Sequence, residues 1–278
     1  MIKFKNKNLG SVITIAMTKW HFWSEKEFSD VYENIYIRAL TEDWYNIVFV
    51  IAKEISKYQK NKKKIHILDI GCGEGHTTKQ VLERIRKNYV CDLLEPNEGA
   101  LTTAEAFLTP GHKIGDVYPV ALTTFKPKKQ YNIVFTSHTN YYWALNKKDY
   151  DSQLNKLLTF LKPGGLLMIL TLPKESDHYK ISLKQVYPAF NYAQYIVGFY
   201  RRKSLSVAVK KFKMRMYVGD VLTTDKLFDL KTLYRFIHGT DSYPGDLESK
   251  RFLANIKKYR KGNYIDFKDY LIVVTKKV

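Results

Sequence analysis

The sequence predicts an α/β fold: a mostly parallel sheet covered by helices on both faces. Three observations carry this. Strand-like apolar runs alternate with helix-period segments between Ile65 and Leu172. One of those runs opens into a helix through a glycine-rich turn. Two late strands bracket a helical insertion. Such alternation needs crossover connections, and these bury a parallel sheet between helices.

The elements follow in chain order. Glu25–Ala39 and Asp43–Tyr58 place Phe28, Tyr32 and Ile35, then Trp44, Ile47, Val48, Ile51 and Ile55, at helix spacing. The polar stretch Lys60–Lys64 ends this part. Ile65–Ile70 reads as a buried strand and Thr77–Lys87 as the helix after the glycine turn. Val90–Glu95 is the second strand. Gly99–Leu108 is the next helix, stopped by Pro110-Gly111. Tyr118–Leu122 is a faint strand and Tyr131–Ser137 a strong one. Asp149–Leu161 is a helix with Leu154, Leu157, Leu158 and Leu161 on one face. Pro163-Gly164-Gly165 turns the chain into the strand Leu166–Leu172. Beyond it come an aromatic helix at Tyr187–Tyr200 and a strand at Ser206–Val218. Helices at Leu227–His238 and Leu247–Tyr259 precede a final strand at Tyr264–Val274.

There is no internal repeat or low-complexity linker, so residues 1–278 form one domain. It divides into an N-terminal helical cap (1–64), a core (65–172) and C-terminal additions (173–278). The chain of 278 residues is 45% apolar, which excludes a disordered polymer. Its apolar runs, such as Ile47–Ala52 and Leu166–Leu172, fall far short of the ~20 residues of a membrane span. Val12–Met17 is weak as a signal-peptide core, so the expected location is cytoplasmic. Two cysteines, Cys72 and Cys91, make neither a disulfide scaffold nor a metal site, and no metal is expected.

The net charge of +19 is uneven. Arg201–Tyr217 holds seven basic residues (Arg201, Arg202, Lys203, Lys210, Lys211, Lys213 and Arg215) and no acid. Lys250–Gly262 holds six more. A basic surface there could receive nucleic acid. A lysine-rich, merely solvated chain would show the same excess.

The sharpest chemical signal is Asp69-Ile70-Gly71-Cys72-Gly73-Glu74-Gly75, lying between a strand and a helix. Glycines let the backbone turn tightly and meet a ligand without Cβ interference. His76 stands where a dinucleotide fingerprint wants its third glycine. Asp69 is a carboxylate that suits an ammonium group and would repel a pyrophosphate. Glu95 lies twenty residues past Gly75, at the end of the second strand, where an acid can accept both hydroxyls of a ribose. A cationic amino acid joined to a nucleoside meets all three demands: S-adenosyl-L-methionine.

With these residues the chain resembles the class I S-adenosylmethionine-dependent methyltransferases. Asp69–Gly75 looks like their first motif and Glu95-Pro96-Asn97 like their second. Tyr131–Phe135 resembles their fourth, and Leu161–Gly165 the turn before their fifth strand. The resemblance spans Ile65–Leu172. It implies a Rossmann-like seven-stranded sheet with a reversed hairpin at its end, a monomer, and S-adenosyl-L-homocysteine as the product left after transfer.

The layout also resembles the histamine N-methyltransferase group. That resemblance implies that Glu42, in Leu40-Thr41-Glu42, holds a substrate cation, with Phe28 and Tyr32 lining the same pocket. His138 takes the place of a substrate-facing Gln, and Ser137 a cofactor-contacting position. Thr123 or Thr124 would sit near the adenine. The group's substrate-binding Asn aligns with Phe267 or Lys268, which departs from the pattern. His138, Tyr141, Tyr142 and Trp143 follow the fourth strand and can wall a cation or a flat ring.

The expected function is methyl transfer to nitrogen of a small amine or heteroaromatic substrate, with His138 and Glu42 as the catalytic candidates. RNA or protein methylation through the basic C-terminal surface is the alternative. A non-catalytic cofactor-binding protein is the third.

Overall fold

The computed structural model describes residues 43–143, 146–181, 191–218 and 246–277. The expected helices at Glu25–Ala39 and Leu227–His238 lie outside these residues.

Helix α1 (Asp43–Gln59) turns Ile47, Val48, Ile51, Ala52 and Ile55 onto the sheet, all at 2% exposure or less. Their three- and four-residue spacing makes one apolar stripe. Then come β1 (Ile65–Ile70), α2 (His76–Leu82), β2 (Tyr89–Leu94), α3 (Glu98–Leu108), β3 (Ile114–Tyr118), β4 (Tyr131–Ser137), α4 (Lys147–Phe160) and β5 (Leu161–Thr171). The remaining elements are α5 (Asp177–Ile181), α6 (Tyr192–Arg202), β6 (Ser206–Tyr217), α7 (Asp246–Tyr259), β7 (Arg260–Lys261) and β8 (Tyr264–Thr275).

The sheet runs β3-β2-β1-β4-β5-β8-β6, and the two-residue β7 pairs with β8 as an eighth strand. Strands β1 to β5 are mutually parallel where they pair. β8 lies antiparallel between β5 and β6, which is the reversed hairpin the sequence implied. One face buries residues of α1, α2, α3 and α7, and the other those of α4 and α6. Strand β2 and nearly all of β4 are therefore buried on both faces. That is why they read as mostly apolar runs, broken by Asp92 in β2 and by Asn132 and Thr136 in β4, and not as alternation.

Three expected boundaries move. The third strand is Ile114–Tyr118, not Tyr118–Leu122. It is a half-exposed edge strand containing Gly115 and Asp116, so its apolar signal is weak. Helix α2 ends at Leu82, five residues before the expected Lys87. Pro163-Gly164-Gly165 is not a turn ahead of a strand. It lies inside β5, where the register slips between the Tyr131–Leu161 and Ile133–Leu166 pairs, and Gly164 takes φ 71° to do so.

Candidate cofactor and methyl-transfer site

Going across the sheet, the order of strands reverses between β1 and β4, and open α/β sheets bind ligands at the carboxyl ends of such strands. The glycine loop leaves β1 at this point. Gly71, Gly73 and Gly75 all have positive φ, at 71°, 53° and 85°. A Cβ on Gly71 would come within 2.2 Å of Thr139 Cγ2, so only glycine lets the loop pass beneath the β4 exit. A Cβ on Gly73 would meet nothing within 4 Å, so here the loop backbone faces open space. Gly75 caps α2 in the left-handed conformation.

Two acids face this loop. Asp69 is 2% exposed, and its Oδ2 accepts a hydrogen bond from the Thr78 hydroxyl on α2. Burial pushes its carboxyl up to about 7. The Thr78 bond pulls the other way, and the Glu95 charge adds to the rise. Thr78 is a partner that the motif reading did not single out. Glu95 follows β2, and its backbone N–H is held by the Tyr118 carbonyl at 3.2 Å. Its Oε2 accepts from Gly73 N (3.1 Å) and its Oε1 from Asn97 N (3.1 Å). Burial raises its pKa against these two bonds. Each oxygen keeps a free lone pair, so the carboxylate is fixed yet can still accept two hydroxyls. Asn97 caps α3 by accepting from Ala100 N at 3.0 Å, and Pro96 lies between the two. Burial and the Asp69 and Glu95 charges push the Cys72 thiol up, so it stays protonated and unreactive.

The structure thus brings together Asp69, Gly71, Cys72, Gly73, Gly75, Glu95, Pro96 and Asn97. Thr123 and Thr124 lie on an exposed turn after β3. Lys156 ties that turn to α4 through the Leu122 and Thr123 carbonyls, at 2.7 and 2.8 Å. Tyr118, at the carboxyl end of β3, shares this rim. It escaped the sequence reading because the strand was expected to begin there and not to end there.

On the β4 side, Ser137 ends the strand and His138 leaves it with φ 56°. The aromatic run after it divides. Tyr141 and Trp143 are 3% and 4% exposed and belong to the core, packed on Tyr192 and Tyr150. This corrects the expectation that all three rings wall the acceptor. Tyr142 is the one turned outward, at 36% exposure. His138 Nε2 lies 3.3 Å from Oδ2 of Asp269, a fully buried β8 residue that pattern reading passed over. Phe267 is buried and stacks on His178 at 4.5 Å. Glu42, Phe28 and Tyr32 lie outside the described residues. Among those described, no group of three or more His, Cys, Asp or Glu residues is placed to hold a metal.

Residues 47–215 match the methyltransferase domain family, well over half of the chain. The protein is a member of that family. Malonyl-(acyl-carrier protein) O-methyltransferase 2 of Ilyobacter polytropus is 25% identical over 141 residues, 50% of this chain and 52% of that protein. The chain spans about half the length of the curated relatives it matches. Among solved structures, the YcgJ protein of Bacillus subtilis superposes with a TM-score of 0.56 at 12% identity, over 82% of this chain and 98% of that one. The plantazolicin methyltransferase BpumL, solved with SAH, gives 0.53 at 13% identity, over 97% of this chain and 99% of that one. At these identities the two structures speak for the fold. The finer resemblance to histamine N-methyltransferases finds no support in these comparisons.

Proposed function

We propose that this methyltransferase uses S-adenosyl-L-methionine to methylate nitrogen on a small amine or heteroaromatic acceptor. The observation that carries the cofactor is the glycine loop bonded to Glu95 with Asp69 buried behind it. The arrangement fits the group. Asp69 suits an ammonium, Glu95 keeps two lone pairs for ribose hydroxyls, and the Gly73 backbone faces open space. Asn97, Pro96, Ser137, Thr123 and Thr124 complete the proposed set. SAH in the BpumL structure supports the same cofactor. When bound, S-adenosylmethionine would supply a methyl group on a sulfonium sulfur: the acceptor lone pair bonds to that carbon as the carbon–sulfur bond breaks, and the sulfur leaves with the electron pair as S-adenosylhomocysteine.

The protein's own residues supply little acid–base chemistry. Their work is to align the acceptor and to exclude water. His138 at the end of β4 is proposed to orient the acceptor, and Glu42 to hold its cationic group. The buried Asp269 carboxylate beside His138 places a negative charge behind this ring and so supports a cationic acceptor.

The test pairs calorimetric titration of S-adenosylhomocysteine with methyl transfer to an amine panel. Binding that is lost in Glu95→Ala, and turnover that falls in Glu42→Ala, are the expected results. Wild-type turnover by Glu42→Ala overturns the role given to Glu42. A second reading, methylation of RNA or protein, is favoured by exposed Lys211, Lys213 and Arg215 along β6. Its signature is binding that weakens steeply with salt.

A further inference from the structure

Asp269 is fully buried in β8, and among the described residues neither of its oxygens has a hydrogen-bond donor. A buried carboxylate without a partner is costly, so its neighbours have to explain it. The group beside it is the His138 ring. Nε2 lies 3.3 Å from Oδ2, off the line of a good hydrogen bond, and is itself buried. The His138 backbone is held in the left-handed region at φ 56°, and its N–H is pinned by the Leu170 carbonyl at 3.0 Å. A non-glycine residue held there is sparsely populated, and such strain collects at functional sites.

The other ring nitrogen, Nδ1, faces the Tyr141 hydroxyl at 3.3 Å. That oxygen already accepts the Leu172 N–H at 2.6 Å and the Thr171 hydroxyl at 3.4 Å. A phenol oxygen has two lone pairs, so Tyr141 has only its proton left to offer. Burial holds the phenol well above its ordinary pKa, which keeps that proton in place. Nδ1 is then the acceptor, and the ring's own proton sits on Nε2, facing Asp269.

We propose that Asp269 is a positioning residue: the chain Asp269–His138–Tyr141 locks His138 as the Nε2–H tautomer and fixes its ring at the methyl-transfer rim. Both nitrogens then have a protein group beside them, Tyr141 at Nδ1 and Asp269 at the buried Nε2. His138 orients the acceptor as a wall and does not take its proton. The catalytic part of this inference rests on the methyltransferase reading. The tautomer does not.

The test uses the full chain labelled with 15N-histidine, with His138 assigned through His138→Gln, at pH 8 with S-adenosylhomocysteine present. Wild type should show two separate ring resonances of the Nε2–H form. Asp269→Leu and Tyr141→Phe each remove one of the two contacts and should shift this pattern part of the way toward the average of two tautomers. Asp269→Asn, whose amide oxygen still accepts, should keep it. With the best amine of the panel, kcat should fall about 10- to 100-fold in Asp269→Leu, recover in Asp269→Asn, and leave the cofactor KM unchanged. An Nδ1–H form in wild type overturns the proposal. So does an unchanged tautomer in Tyr141→Phe, which still carries the test if Asp269→Leu does not fold. An Asp269→Leu variant that melts earlier with tautomer and kcat intact makes Asp269 merely structural, and also overturns it. Failure of wild type to bind S-adenosylhomocysteine counts against the cofactor reading, while the resonances still decide the tautomer.

Discussion

At the residue scale, the buried Asp69 ties function to a measurable cost. Its folded pKa of about 7 lies above its ordinary value of 3.8, so the folded protein holds this proton more tightly than the unfolded chain. The stabilising contribution is fully present below pH 3.8 and is lost as pH rises through 7. Above pH 7 the charged group costs the free protein roughly 4 kcal/mol at most, taking three pKa units at 1.36 kcal/mol each. Asp69→Asn keeps an acceptor for the Thr78 hydroxyl and removes that charge. We expect it to raise the melting temperature at pH 8, with the gain vanishing by pH 4–5, and to weaken S-adenosylhomocysteine binding at least 10-fold. Equal destabilisation at both pH values would show that burial of the charge is not what shifts Asp69. In wild type the affinity should rise with pH through 7, because an ammonium group needs the ionised carboxylate. Calorimetry across pH 6–8 checks this.

At the element scale, the legible parts were those with redundant local signals. Strands β1, β2 and β4 lie within one residue of their expected bounds, because burial on both faces makes each a mostly apolar run in which polar residues such as Asp69, Asp92 and Asn132 are few. The loop after β1 was legible because three glycines and two acids stand at fixed distances from a strand end. Strand β3 was misplaced for the opposite reason. It is an edge strand, and its Gly115 and Asp116 answer a tertiary demand that periodicity does not carry. Asp92, fully buried in β2, accepts from Tyr131 OH (2.9 Å), Lys129 Nζ (2.8 Å) and Asp116 N (3.1 Å). A Cβ on Gly115 would come within 2.2 Å of Asp92 Oδ1 and 2.7 Å of Val90 Cγ1. Gly115→Ala must therefore displace a carboxylate held by three donors. We expect a loss of about 1–3 kcal/mol in urea unfolding, with cofactor affinity changed less than threefold because the glycine loop is untouched. A neutral Gly115→Ala would mean that β3 swings away freely. Asp269 was illegible for a related reason: a single acid in a late strand acquires meaning only when β8 inserts beside β5 and brings it to His138.

At the scale of the whole molecule, the question is what the charge of +19 does. Folding absorbs part of it. Lys210 pairs with Glu54 at 3.2 Å and Lys129 with Asp92 at 2.8 Å. What remains on β6 is Lys211, Lys213 and Arg215, alternate residues of one strand that share one side of the sheet. Across from them on β8 stand Tyr270, Lys268 and Asp266. This side belongs to the C-terminal hairpin, whereas the glycine loop, Asp69 and Glu95 stand at the β1–β2 end of the sheet. A small acceptor held at His138 does not need these cations. We therefore expect the charge-reversed triple variant Lys211→Glu, Lys213→Glu, Arg215→Glu to methylate the best small amine within about twofold of wild type. Its turnover should be flat between 50 and 300 mM salt, since screening acts on exposed charges and leaves a buried site largely alone. The folded state should instead gain stability with salt, as screening relieves the self-repulsion of an excess of nineteen positive charges. A polyanionic substrate reverses both expectations: the variant then loses activity, and log affinity falls linearly with log salt in proportion to the phosphates contacted.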